Sequence, residues 1–175
     1  MMSKFNFAEG EVLLIDKPLT WTSFDVVRKI RNRIRIKKVG HAGTLDPLAT
    51  GLLVLCTGKR TKTIDKIQAT DKEYTGIIAL GATRPSYDKE TEIDQEFDCS
   101  NITEEAIYAT VSSFLGEIEQ VPPIHSAIKV DGERVYKKAR RGEDVKLKSR
   151  LVTIKAFEIT KIEMPKVYFR IACTK

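Results

Sequence analysis

Between Gly40 and Gly51 the chain reads Gly-His-Ala-Gly-Thr-Leu-Asp-Pro-Leu-Ala-Thr-Gly, which sets one carboxylate and one histidine among three glycines and a proline. A carboxylate is ionised at neutral pH and can act as nucleophile, base or stabiliser of a developing cation. The glycines permit backbone angles closed to other residues, and Pro47 fixes the chain just after Asp46, so the carboxylate is expected at one set place. The plain alternative is an Asp-Pro turn with no chemistry, and on spacing alone the two readings weigh about equally. His41 reads most simply as a hydrogen-bonded loop residue, although its place in the same loop could bring it to one surface with Asp46. No second histidine, serine or cysteine stands nearby to compete for the role.

The elements that must hold this loop follow from periodicity. Leu52-Leu53-Val54-Leu55-Cys56 predicts a buried strand directly after it, and Val12-Leu13-Leu14-Ile15 an earlier one ended by Asp16-Lys17-Pro18. Thr22 or Ser23 can cap a helix whose apolar positions are Phe24, Val27, Ile30 and Ile34. Gly58 introduces a short helix, and Lys72 to Ala82 predicts a strand carrying Tyr74. A strand tyrosine is ordinarily a packing residue; facing the loop, it could stack on a base. Thr103-Glu104-Glu105 opens another helix, with Gly116 in the place of a C-terminal cap. Two further strands are predicted over 151–160 and 167–173. Residues 124–150 form a basic excursion in which Asp131-Gly132 signals a hairpin and 136–141 reads as helix. These elements predict one mixed α/β (α+β) domain over 1–175, a largely antiparallel sheet flanked by helices with the Asp46 loop in a basic cleft.

Composition narrows the class. The net charge of +6 is segregated: Arg28, Lys29, Arg31, Arg33, Arg35, Lys37 and Lys38 run without an acid between them, and Lys129, Arg134, Lys137, Lys138, Arg140 and Arg141 gather in the excursion. Acids concentrate instead between Asp88 and Asp98. Clustered Lys and Arg suit a polyanionic partner through counterion release, although a solvated helix face explains the first cluster equally well. Cys56, Cys99 and Cys173 lie far apart and only two histidines are present, so neither a disulfide framework nor a metal enzyme is expected. No phosphate-binding Gly-x-x-x-x-Gly-Lys-Ser/Thr occurs. Apolar runs of about five residues fall far short of the ~20 that span a bilayer, and no signal sequence is visible, which predicts a cytoplasmic chain.

The run Gly40 to Leu53 resembles the central motif of the TruB-type tRNA pseudouridine-55 synthases. The likeness extends to Leu14-Ile15-Asp16-Lys17-Pro18, Thr22-Ser23, Asp71-Lys72-Glu73-Tyr74, residues 116–123 from Gly116 to Pro123, Ser126-Ala127-Ile128-Lys129, and then Gly132, Tyr136, Ala139, Arg140 and Gly142. The resemblance implies a pseudouridine synthase fold and isomerisation of a uridine in the T-arm of tRNA by a monomer that needs no cofactor and no metal. It implies that Asp46 is the catalytic aspartate. Tyr74 would stack on the flipped uracil and take the proton from carbon 5, a task for which a phenol of reference pKa near ~10 needs help. His41 would hold the opened RNA loop, with Lys17, Gly43 and Thr44 also at the RNA. Lys129, Arg140 and Arg141 would belong to an RNA-gripping insertion at about 124–150, where His125 and Tyr136 also lie.

Two departures from the family pattern stand out. Thr20 occupies a position where the family usually has glycine, so the turn there is expected to differ slightly. After Cys173 the family continues into a Gly-Thr-Tyr-Ile-Arg motif whose arginine pairs with the catalytic aspartate, whereas the sequence ends at Lys175. The expectation is an incomplete catalytic domain that is inactive or nearly so in this 175-residue form, with the full-length protein active. A non-catalytic RNA-binding or tRNA-folding module is the rival reading; a nucleoside hydrolase or glycosidase would ordinarily show paired acids or a metal cluster.

Overall fold

A computed structural model describes residues 5–122 and 147–174, with residues 129–130 and 133–134 described by backbone alone. The chain divides into two units, Met1–Thr70 and Asp71–Lys175. The mixed α/β class and the antiparallel pairing expected from the sequence are both present.

Unit 1 contains β1 (Val12–Lys17), α1 (Ser23–Ile34), β2 (Val39–His41), β3 (Gly51–Thr57), a 3-10 turn over Gly58–Thr63 and α2 (Ile64–Gln68). Its sheet runs in the order β1-β3-β2, with β3 antiparallel to both neighbours. The expected apolar run after the loop is β3, whose Leu53 and Leu55 are fully buried among Val26, Val27 and Val39. Leu13, Ile15, Ile30, Ile34 and Leu45 pack against that cluster.

α1 starts where the capping residue predicts. Thr22 Oγ1 accepts from the Asp25 amide at 3.0 Å, and the Thr22 amide donates back to Asp25 Oδ2 at 3.0 Å, which closes a capping box. The apolar stripe differs by one position from the expected set: Val26 is buried, whereas Phe24 stays 57% exposed. Arg31, within the basic run, turns inward and donates to the Val39 carbonyl at 3.3 Å, linking α1 to β2.

Unit 2 contains β4 (Lys72–Ala79), β5 (Ala82–Thr83), β6 (Gln95–Glu96), α3 (Glu104–Ser112), β7 (Gly116–Gln120), β8 (Lys129–Val130), β9 (Glu133–Arg134), β10 (Arg150–Glu163) and β11 (Lys166–Cys173). β4, β11, β10 and β7 form a four-stranded antiparallel sheet in that order. β5 with β6 and β8 with β9 form two small antiparallel ladders; the turn expected at Asp131-Gly132 lies outside the described residues. Gly116 does not cap α3 as expected; the helix ends at Ser112 with Ser113 as its C-cap, and Gly116 opens β7 opposite Ile154. The helix expected over 136–141 lies outside the described residues.

Phe157 joins α3 to the sheet, its ring 6.3 Å from Phe114 and 5.8 Å edge-on from Phe169. Phe169 sits directly opposite Gly76 in the β4–β11 register and covers it. A β-carbon on Gly76 would lie 2.7 Å from Cζ of Phe169, and the ring cannot withdraw without disturbing Phe157. Gly76→Ala therefore destabilises unit 2 by about 1 kcal/mol, the overpacking cost exceeding the strand's gain from losing glycine. Urea denaturation checks this, and Phe169→Leu in the same background restores stability.

A candidate active-site loop

The Asp46 loop leaves β2 at His41 and rejoins the sheet at Gly51, so both ends are mounted on β3's neighbourhood. Gly43 at φ 112° and Gly51 at φ 115° occupy a region closed to side chains, which explains glycine at the loop's two bends. Between them Leu45 is pinned three ways. Its side chain packs on the core, its amide donates to Ser23 Oγ at 2.9 Å, and the same hydroxyl donates to the Leu45 carbonyl at 3.1 Å. Ser23 is itself buried as the first residue of α1. On the far side, the Pro47 carbonyl accepts from the Thr20 amide at 2.8 Å, and the Ala49 amide closes a turn onto the Asp46 carbonyl at 3.0 Å. Asp46 thus sits between two tied residues with its side chain exposed, and its carboxylate has no ion-pair partner among the described residues. Such an arrangement keeps a carboxylate oriented while leaving it open to a substrate.

The neighbour of His41 assigns its tautomer. Nδ1 contacts the Gly43 carbonyl, which can only accept, so Nδ1 carries the proton and Nε2 remains as the ring's acceptor when neutral. Thr44 is exposed and Gly43 half-buried beside it.

The turn before α1 supports the loop from beneath. Lys17, expected at the RNA surface, is instead fully buried, and Nζ donates to the Trp21 carbonyl at 2.6 Å and the Pro18 carbonyl at 3.0 Å. Its ammonium folds the 18–21 turn, and that commitment removes it from any surface contact in this conformation. Thr20 lies at φ 69°, the left-handed region where a β-branched residue is costly. The departure from glycine at this position has a physical counterpart: the turn demands the conformation glycine takes freely.

Tyr74 lies in unit 2 on β4, opposite Ile171 and 46% exposed. Partial burial pushes its phenol above the usual tyrosine range, the adjacent Cys173 adds to the rise, and Arg150 opposes it. The ring is therefore a neutral hydrogen-bond donor and stacking surface at neutral pH, and the environment moves it away from base character rather than toward it. Its strand is held in register by exposed ion pairs: Arg170 to Glu73 at 2.6 Å and to Glu158 at 3.0 Å, and Lys155 to Asp71 at 2.5 Å. Arg170 holds the Glu73 carboxyl below its ordinary range. Arg140 and Arg141 lie outside the described residues, as do His125 and Tyr136, and only the backbone of Lys129 is described. Ser23, absent from the sequence expectations as a loop tie, was visible there only as a helix cap.

The sequence profile of the TruB family pseudouridylate synthase N-terminal domain matches residues 31–175, which include Asp46 and Tyr74. A protein named tRNA pseudouridine synthase B from Flavobacterium johnsoniae is 55% identical over 99% of this chain and 79% of its own length. One of the same name from Phocaeicola vulgatus is 51% identical over 97% of this chain and 75% of its own. Among solved structures, a chain of a Cbf5-Nop10-Gar1 complex matches 96% of this chain with a TM-score of 0.70 at 27% identity. The chain spans 40% of the length of that solved chain.

Two substitutions in the supporting turn act in opposite directions. Thr20→Gly relieves the left-handed strain and stabilises unit 1 by about 1 kcal/mol. Ser23→Ala leaves the Leu45 amide and carbonyl unpaired and destabilises it by about 1–3 kcal/mol. Thermal and denaturant unfolding of both variants check the two signs.

Proposed function

Because the chain belongs to the TruB family of pseudouridylate synthases, we propose that it isomerises a uridine in the T-arm of tRNA to pseudouridine, with Asp46 as the catalytic carboxylate. The observation that carries the reading is the exposed Asp46 side chain on a loop tied to the core at Leu45 and to the 18–21 turn at Pro47. The reaction breaks the N1–C1′ bond, forms a C5–C1′ bond, releases the proton from C5 and returns one to N1. Three routes share that outcome: attack of the carboxylate on uracil, attack on C1′, or assisted elimination to a glycal. Each requires an ionised carboxylate at this position, and none requires a cofactor.

The target base must leave its stack to be reached, so an aromatic surface for the extruded uracil is part of the chemistry. Tyr74 supplies that ring in this proposal. Its raised pKa in the free protein means that proton removal from C5 by Tyr74 depends on surroundings that the bound RNA completes. Gly43 and Thr44 offer backbone and hydroxyl beside Asp46, and Nε2 of His41 can accept from a ribose hydroxyl or base N–H of the opened loop. Lys129, Arg140 and Arg141 would grip phosphates from the basic insertion at about 124–150, with the enzyme a cytoplasmic monomer.

Release of tritium from 5-tritiated uridine in tRNA by the intact gene product tests the assignment. Asp46→Asn abolishes release while tRNA binding persists; unchanged release would favour a non-catalytic RNA-binding or tRNA-folding module. Tyr74→Phe keeps binding through its ring, whereas Tyr74→Leu loses affinity as well as rate. Ultraviolet titration of the free protein is expected to show phenolic components above the usual tyrosine range from Tyr74 and from Tyr168, and Tyr74→Phe removes one of the two.

A further inference from the structure

The basic run on α1 takes no part in the chemistry above, and it borders a hollow of about 390 Å³ lined by Thr20, Trp21, Asp25, Arg28, Lys29 and Asn32. That volume falls in the range of small-ligand sites. Its composition is specific. Trp21 leaves 37% of its surface open at the wall, although a tryptophan gains more than most residues from burial. Asp25 is the one acid of the lining. Its carboxylate is already engaged by the Thr22 amide and hydroxyl and by Arg28 at 2.7 Å, and the Thr22 hydroxyl above all holds its pKa below the ordinary range. Arg28 keeps 65% of its side chain exposed despite that pair. Lys29 and Asn32 are exposed and have no partner among the described residues. The hollow therefore combines an open aromatic face, an amide and a net positive charge.

We propose that this hollow is an accessory RNA-binding site, in which Trp21 stacks on an unpaired base and Lys29, assisted by Arg28, receives the adjoining phosphate. Stacking rings beside a cationic groove are how proteins hold single-stranded nucleic acid with little sequence preference. The position adds weight. The Thr20 amide at the hollow's edge donates to the Pro47 carbonyl of the Asp46 loop, and the Lys17 ammonium fixes the Trp21 carbonyl, so the ring is mounted on the same turn that supports the loop. The left-handed Thr20 makes the turn that displays Trp21 between Thr20 and the α1 cap. The basic run thereby acquires a division of labour: Arg31 is spent on β2, while Arg28 and Lys29 face the hollow. This proposal rests on the reading of the chain as an RNA-modifying enzyme.

Trp21 is the chain's one tryptophan, so its fluorescence reports on the hollow directly. Titration with a T-arm stem-loop RNA is expected to quench that emission saturably, with an apparent affinity that falls as salt rises. Lys29→Glu weakens binding by about tenfold and lowers the salt slope by about one, as loss of a phosphate contact requires. Lys66→Glu, an exposed charge reversal on α2 outside the lining, serves as the control and shifts affinity far less. Asp46→Asn abolishes isomerisation and leaves the quenching in place. RNA binding by other measures without Trp21 quenching, or equal losses from Lys29→Glu and Lys66→Glu, would overturn the accessory site alone. Failure of the protein to bind the RNA at all would instead overturn the functional reading beneath it.

Discussion

One side-chain hydroxyl organises the candidate site. Ser23 Oγ accepts from the Leu45 amide and donates to the Leu45 carbonyl, so a single buried group satisfies both polar atoms of the residue preceding Asp46. A loop carrying three glycines has a high conformational entropy to lose, and each fixed residue costs about 1–2 kcal/mol. Leu45 answers that cost with apolar packing and two hydrogen bonds together. Everything on either side then follows: the capping box sets where Ser23 stands, and the Lys17 ammonium shapes the turn that reaches Pro47. The carboxylate is exposed while its mounting is buried.

The two candidate groups live in contrasting surroundings. Asp46 belongs to unit 1, whose core runs from β3 through α1, and its position depends on backbone hydrogen bonds in a tight loop. Tyr74 belongs to unit 2 and depends on strand register, held by pairing with β11 and by ion pairs across β4, β11 and β10. Such exposed ion pairs each contribute little to stability, but three strands bridged through Arg170 resist a register slip that would turn Tyr74 to the opposite face.

Much of this was legible in the sequence, and the gaps have physical causes. α1 was readable because Thr22 caps it and Val27, Ile30 and Ile34 recur at helical spacing; the exchange of Phe24 for Val26 arose because burial depends on the sheet below as well as on period. β2 escaped notice, since three residues with a central glycine carry no alternation. Gly116 looks the same in sequence whether it caps a helix or opens a strand. Lys17 reads from its residues only as the end of a strand and comes to the RNA through the family resemblance alone; the two carbonyls turned toward it by the 18–21 turn, which make its burial tolerable, leave no mark in the spacing. Asp46 stood out because glycine, proline and carboxylate converge there, whereas the serine that ties the preceding Leu45 is 22 residues away from that leucine in sequence.

The central claim is that the loop's mounting, and not the carboxylate alone, sets the rate of uridine isomerisation. The most direct measurement is the single-turnover rate of pseudouridine formation in Ser23→Ala at saturating tRNA, under conditions where the variant remains folded. The account predicts a rate lower by about 10- to 100-fold with tRNA affinity unchanged, as expected when a reacting group is displaced by a fraction of an ångström to one ångström. A folded Ser23→Ala protein that isomerises uridine at the parent rate would contradict it.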